Sequence, residues 1–148
     1  MKLLDSEAIE DVLRTNGLGV LSLIDGDRPY GLPMSFGYAD GRVSFMLQTE
    51  SAMENRKFRA IESNPTACLT VYDGRPDRNQ TWRSVIVTGD LYEIPEEELG
   101  EAFFALADNA VFAPDFDVLD VPVEDIDLRY VGLTVDDISG RVYSAPDV

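Results

Sequence analysis

The sequence predicts one mainly β domain, in which about six antiparallel strands close into a barrel flanked by two to three peripheral helices. Three observations point there. The 148 residues suit a single core. Apolar residues alternate with period two in runs at 18–24, 30–38, 42–47, 66–72, 84–94, 128–135 and 142–144. Two links, Asp25-Gly26-Asp27 and Ala39-Asp40-Gly41, are too short for anything but antiparallel neighbours. Closure into a barrel removes sheet edges that otherwise aggregate, and a sandwich is the alternative.

Along the chain, Asp5 or Ser6 caps a first helix with Ile9, Val12 and Leu13 at helical spacing, and Asn16-Gly17 stops it. This helix is expected to lie on the sheet. After three strands, Ser51 and Glu54 form a capping box ahead of Phe58 and Ile61, giving a helix over 51–63 that Asn64-Pro65 ends. A strand at 66–72, a polar loop at 73–80 and a long strand at 84–94 come next. Pro95 opens a helix to about Ala107, and the last strand pair flanks a turn at Ser139-Gly140. No repeat or linker interrupts this order, so residues 1–148 read as one domain.

Composition narrows the function. Apolar residues at 45% against 27% charged describe a packed globule. The net charge is −16, histidine is absent, and lysine occurs only at Lys2 and Lys57 beside ten arginines. Such a surface repels phosphate backbones and anionic lipid, so neither nucleic acid nor membrane is an expected partner. No run approaches the roughly 20 apolar residues of a membrane span, and the start lacks the apolar stretch of a signal peptide, so a cytoplasmic location is expected. Acid enrichment with lysine loss resembles the proteins of extreme halophiles. Between Ser84 and Leu128 there is no lysine or arginine, and Asp115, Asp117, Asp120, Glu124 and Asp125 read as a solvated acidic surface.

Without histidine, and with Cys68 in an apolar run that reads as core, the usual nucleophile–base pairs and imidazole or thiolate metal sites are missing. Carboxylates abound, but no pair stands apart from surface charge as a cation site or a glycosidase pair. The informative signal is cationic. Asn55-Arg56-Lys57-Phe58-Arg59 concentrates positive charge early in a helix, where unpaired N–H groups already attract anions. Arg56 and Lys57 there suit a phosphate monoester; alternatively they pair with Glu54, Glu62 and the acidic surface.

The run Arg28-Pro29-Tyr30-Gly31-Leu32-Pro33-Met34-Ser35-Phe36-Gly37-Tyr38, then Asp40-Gly41, a strand, the basic helix and Asn64-Pro65, carries a family likeness, as does Trp82-Arg83-Ser84-Val85-Ile86-Val87-Thr88-Gly89. Over residues 6–94 the chain resembles the pyridoxamine 5'-phosphate oxidase-like proteins. The resemblance implies a split β-barrel that forms a homodimer and holds FMN in clefts between subunits. It places Pro33, Met34, Ser35 and Phe36 along the flavin ring, Lys57 and Arg56 on the phosphate, and Thr49 or Ser51 as a hydroxyl sharing it. Gln48 is placed at the ring or ribityl chain, and Trp82, Arg83 and Ser84 approach from the partner or line the interface. Plainer roles are open for several: Met34 and Phe36 as core, Trp82 as an interface anchor, Ser35 as a polar residue on the outer face.

The chain also departs from its relatives. The histidine of nitroimidazole-resistance members has no counterpart, Glu50 standing near its place, and the C-terminal tryptophan and arginine of true pyridoxamine phosphate oxidases leave only Arg141 as a match. Vitamin B6 oxidation is therefore not the expected reaction. The resemblance implies an FMN-dependent oxidoreductase acting on a small-molecule redox substrate. The alternatives are a flavin carrier or sensor without turnover, a reductase using the deazaflavin F420, and a barrel acting through protein contacts alone.

The charge makes one prediction. Raising NaCl from about 0.1 M to about 2 M, which shrinks the Debye length to a few ångströms, should raise the thermal midpoint by roughly 5 °C or more. A scanning-calorimetry series in NaCl tests this, and a flat series refutes it.

Overall fold

A computed structural model describes residues 1–50, 56–73, 81–109 and 126–144. The elements are β1 (Lys2–Leu3), α1 (Ser6–Thr15), β2 (Leu18–Asp25), β3 (Arg28–Ser35), β4 (Gly37–Ala39), β5 (Arg42–Glu50), α2 (Arg56–Ser63), β6 (Thr66–Asp73), β7 (Thr81–Glu93), α3 (Leu99–Asn109), β8 (Ile126–Leu133) and β9 (Asp137–Ser144). A short 3₁₀ turn, Glu96–Glu98, leads into α3.

The strands run in the order β3-β2-β6-β7-β8-β5-β4, with β9 on β7 and β1 on β9, and the pairings are antiparallel. The sheet curls into the half-barrel of a split-barrel fold. Alternation sets its faces: Leu21 and Leu23 on β2, Val43, Phe45 and Leu47 on β5, Leu69 and Val71 on β6, and Val85 and Val87 on β7 all point into one buried cluster. Ile9, Val12 and Leu13 of α1 complete that cluster. The cap of α1 is Asp5, whose Oδ1 accepts from the Ala8 N–H at 2.8 Å.

The hairpins obey turn chemistry. Ala39 pairs with Arg42, so Asp40 and Gly41 form a two-residue turn with φ of 52° and 74°. Positive φ at both central positions suits the right-handed strand twist, and it is why Gly stands at the second.

Three expectations need correction. The run at 30–38 is two strands: Phe36, whose N–H donates to the Gly17 carbonyl at 3.0 Å, turns into the core and divides β3 from β4. The turn expected at Ser139-Gly140 lies inside β9. The chain does not reverse there at all: β8 and β9 follow one another along β7, both antiparallel to it, and between them the Thr134 N–H donates to the Asp90 carbonyl and the Asp136 N–H to that of Thr88. Gly140 serves packing, since a Cβ there would lie 2.8 Å from Ile9 Cγ1 and 3.0 Å from Leu4 Cδ1. Cys68 is half-buried rather than core, because its neighbours Ala67 and Leu69 take the inward positions on β6. The capping box at Ser51 and Glu54, most of the polar loop after Asp73 and the acidic segment from Asp115 to Asp125 lie outside the described residues.

Strand β7 crosses from one curl of the sheet to the other. Its residues from Thr81 to Thr88 pair with β9, whereas Leu91 to Glu93 pair with β8. At the crossing the Asp90 N–H donates to Thr134 Oγ1 at 2.8 Å, and a Cβ on Gly89 would collide with the Thr134 carbonyl. Gly89→Ala should therefore cost about 3 kcal/mol of unfolding free energy, read from urea midpoints. A loss within experimental error of zero would show that the crossing relaxes freely.

Candidate functional site

Helix α2 packs against β2. Its first described residues, Arg56 and Lys57, sit at one corner of the barrel near the β2–β3 turn. Arg56 Nε donates to Asp25 Oδ2 at 2.7 Å, and its guanidinium lies 3.9 Å from the Tyr30 ring centroid. Asp25 ends β2 and Tyr30 lies on β3, so the hairpin and the helix are fastened together by one side chain. Lys57 is half-buried, with Nζ 5.7 Å from the centroid of Phe58, itself a buried residue.

A further cation joins this corner. Arg129, on β8 opposite Leu47, places its guanidinium 4.9 Å from the same Phe58 ring. It was invisible in the sequence, where it stands alone beyond the acidic segment, and only the β5–β8 register carries it here. Of 12 lysines and arginines in the chain, Arg56, Lys57, Arg59 and Arg129 gather on or beside one short helix. In a protein of net charge −16 such a gathering of cations lessens the repulsion that an anion meets.

The other candidates are spread over three strands. Pro33, Met34 and Ser35 are the last residues of β3, opposite Val20, Gly19 and Leu18 of β2. Strand β3 ends the sheet path, so its second edge has no strand partner among the described residues, and alternate N–H and C=O groups face away from β2. Met34 packs partly on the core, whereas Ser35 Oγ is buried with no hydrogen-bond partner. Phe36 is a fully buried core side chain whose backbone N–H is held by the Gly17 carbonyl. Gln48 and Thr49 lie near the end of β5, in register with Leu128 and Asp127, and Ser51 is outside the described residues.

Trp82, Arg83 and Ser84 begin β7, separated from β3 by β6 and β2. One protomer does not bring them to the α2 corner. Trp82 stacks on Tyr143 of β9 with centroids 5.8 Å apart. Arg83 makes hydrogen bonds to Asp73 Oδ2 from Nε at 3.2 Å and Nη2 at 2.8 Å, and reaches Asp11 of α1 at 3.0 Å. The bonds to Asp73 first, and then that to Asp11, outweigh desolvation and raise its pKa above the ordinary value. Arg141, on β9 opposite Ser84, has a buried Nε without a partner.

With this geometry in place, residues 5–142 match the family model described as pyridoxamine 5'-phosphate oxidase. The chain belongs to that family. A protein of Rhizobium meliloti of undetermined character is 25% identical over 95 residues, a stretch spanning 64% of this chain and 58% of the relative's length. A crystal structure of a FAD-binding protein from Mesorhizobium loti superposes with a TM-score of 0.73 at 20% identity, covering 97% of this chain and 98% of the other. The FAD binding protein of Mycobacterium smegmatis gives a TM-score of 0.69 at 20% identity, covering 98% and 100%. At these identities the structural likeness speaks for the fold, and the family's split barrel is what this chain shares with both.

The ties around Arg83 are testable. Arg83→Ala should lower unfolding free energy by about 1–2 kcal/mol, because it frees two carboxylates that share one guanidinium. In a double-mutant cycle with Asp73→Ala, the two losses should fall short of adding by about 1 kcal/mol, and strict additivity would deny the coupling.

Proposed function

We propose that this protein is a flavoprotein that binds FMN in clefts between the two subunits of a homodimer and oxidises or reduces a small-molecule substrate. The observation that carries the reading is the cationic corner at α2, beside the open edge of β3. The cluster of Arg56, Lys57 and Arg129 matches a phosphoryl group in charge, and helix N–H groups add to it. The residues also fit the ring end. The unpaired backbone edge of β3 offers the donors and acceptors that a pyrimidine edge requires, and the orphaned Ser35 Oγ gains a partner there. The FAD-binding proteins of similar fold support a flavin as the ligand class.

In this reading Lys57 takes the phosphate, and Arg56, positioned by Asp25 and Tyr30, stands beside it. Met34 lies under the ring as a partly buried apolar support. Trp82 and Ser84 reach the cleft from the second copy, since their own protomer keeps them two strands away from β3. Bound FMN would supply the hydride and electron transfer, while the protein supplies position and electrostatics. No histidine or buried carboxylate is needed as an acid or base at this site, consistent with the composition. A cytoplasmic, salt-rich setting accords with the charge.

The test is spectroscopic. Purified protein titrated with FMN should show the shifted absorption bands of bound oxidised flavin, and Lys57→Ala should weaken binding by about tenfold or more while leaving the thermal midpoint unchanged. Equal affinity in the variant removes Lys57 from the phosphate. Colourless protein whose stability ignores added FMN overturns the flavin reading, and bleaching by a nicotinamide donor separates an oxidoreductase from a carrier.

A further inference from the structure

The sheet has two faces, and the described helices cover only one of them. Alternation sends Leu21, Leu69, Val85 and Val87 inward, so the positions between them on β2, β6 and β7 point outward. The buried residues of α1 and of α2 join the inner cluster, and α3 packs on β4 and β5. No described helix therefore lies over the outer face of β3, β2, β6, β7 and β9. Register runs one row of residues straight across that face: Pro33, Val20, Thr70, Ile86 and Ser139. Val20 on this row is 44% exposed and Tyr72 on the next is 58% exposed, as an uncovered face requires.

That face lacks what the chain otherwise has in excess. The rows on either side, from Gly31 to Asp137 and from Tyr72 to Leu3, bring only two charges, Asp137 and Arg141. The chain as a whole is 27% charged, with 28 acidic residues, so a face holding one carboxylate and one guanidinium stands apart. Trp82 and Tyr143, stacked with centroids 5.8 Å apart, add an aromatic pair to it. Depletion of charge with enrichment in aromatic rings is the composition of an interface centre, and a contiguous exposed apolar patch marks a contact surface.

Charge and size decide the occupant. A basic partner is drawn to the acidic remainder of the molecule, and an acidic partner is repelled by it. Asp137 and Arg141 cancel, which leaves the face neutral and lets two copies of it meet without local repulsion. Five strands at about 4.8 Å and the rise from Trp82 to Thr88 give a footprint of roughly 24 Å by 20 Å, which β1 extends. With side-chain relief, that is the scale of the roughly 800 Å² that each partner contributes to a stable pair. We propose that a second copy of this chain docks face to face on this surface about a two-fold axis, and that salt sets how tightly it docks. The inference rests on the proposed function for its second copy: Trp82 and Ser84, which that reading sends to the partner's cleft, lie on this face. Away from the contact, two bodies of charge −16 repel until salt shortens the Debye length from about 10 Å at about 0.1 M to about 3 Å at about 1 M.

Analytical ultracentrifugation of the full-length protein without flavin tests both parts. A dimer of twice 16.4 kDa is expected, with Kd lower by about tenfold or more in about 2 M than in about 0.1 M NaCl. Val20→Glu should raise Kd by about 100-fold or more with the native circular dichroism kept, whereas Phe104→Glu, at an exposed apolar position on α3 away from the face, should leave Kd unchanged. Where Val20→Glu loses that spectrum, Thr70→Glu on the same row takes its place. A monomer at both salt concentrations overturns the proposal, as does a wild-type Kd in a folded face variant or a Kd that salt does not lower. A monomer that binds FMN removes this interface and the shared cleft but keeps the flavin; a dimer indifferent to FMN keeps this interface and removes the flavin.

Discussion

Strand β7 has to serve two parts of a curled sheet, and the backbone space at Gly89 is what lets it. Before that point it pairs with β6 and β9; beyond it, with β8. Thr134 enters the gap left by the absent side chain and closes it with reciprocal contacts to Asp90. This crossing converts one long meander into a half-barrel with an enclosed core. It also fixes which strands end the path. With β7 at the centre, β3 and β4 are left as the outer strands; α3 packs on β4, and α2 packs on β2, the neighbour of β3.

Electrostatics impose a second constraint. A chain of charge −16 gains little from any one surface ion pair, since an exposed pair contributes about 0–1 kcal/mol. Three of the described arginines nonetheless sit in defined places: Arg42 on Glu98, Arg56 on Asp25 and Tyr30, Arg83 on Asp11 and Asp73. Each joins elements distant in sequence. Arg83 ties α1 to β6 and β7, and Arg56 ties α2 to the β2–β3 hairpin. Their value is positional, and the acidic surface makes such ties easy to form because a carboxylate is always near.

Much of this architecture was legible in the sequence. The Asp5 cap, the Asp40-Gly41 turn and the inward-facing residues of β2, β5, β6 and β7 all follow from local rules. The failures have a common cause, which is tertiary contact. Gly140 looked like a turn because a sequence does not show that Ile9 and Leu4 pack against it. Phe36 continued an apparent strand because alternation cannot reveal a residue turning inward between two short strands. Cys68 sat in an apolar run, yet the pleat gave the inward places to its neighbours. Arg129 reached Phe58 only through pairing of β8 with β5, a long-range register absent from any local pattern.

The same distinction governs the α2 corner. Arg56, Lys57 and Arg59 were readable because they are close together in the chain, whereas Arg129 comes to them from a strand about 70 positions later. The orphaned hydroxyls of the structure differ in kind. Ser35 closes β3, the strand at one end of the path, where polar groups are left to be satisfied by something other than the ladder. Ser44 lies on β5, whose backbone is paired with β4 on one side and with β8 on the other, and its hydroxyl is buried all the same. The first marks an incomplete edge; the second is a cost of packing over a strand already paired on both sides.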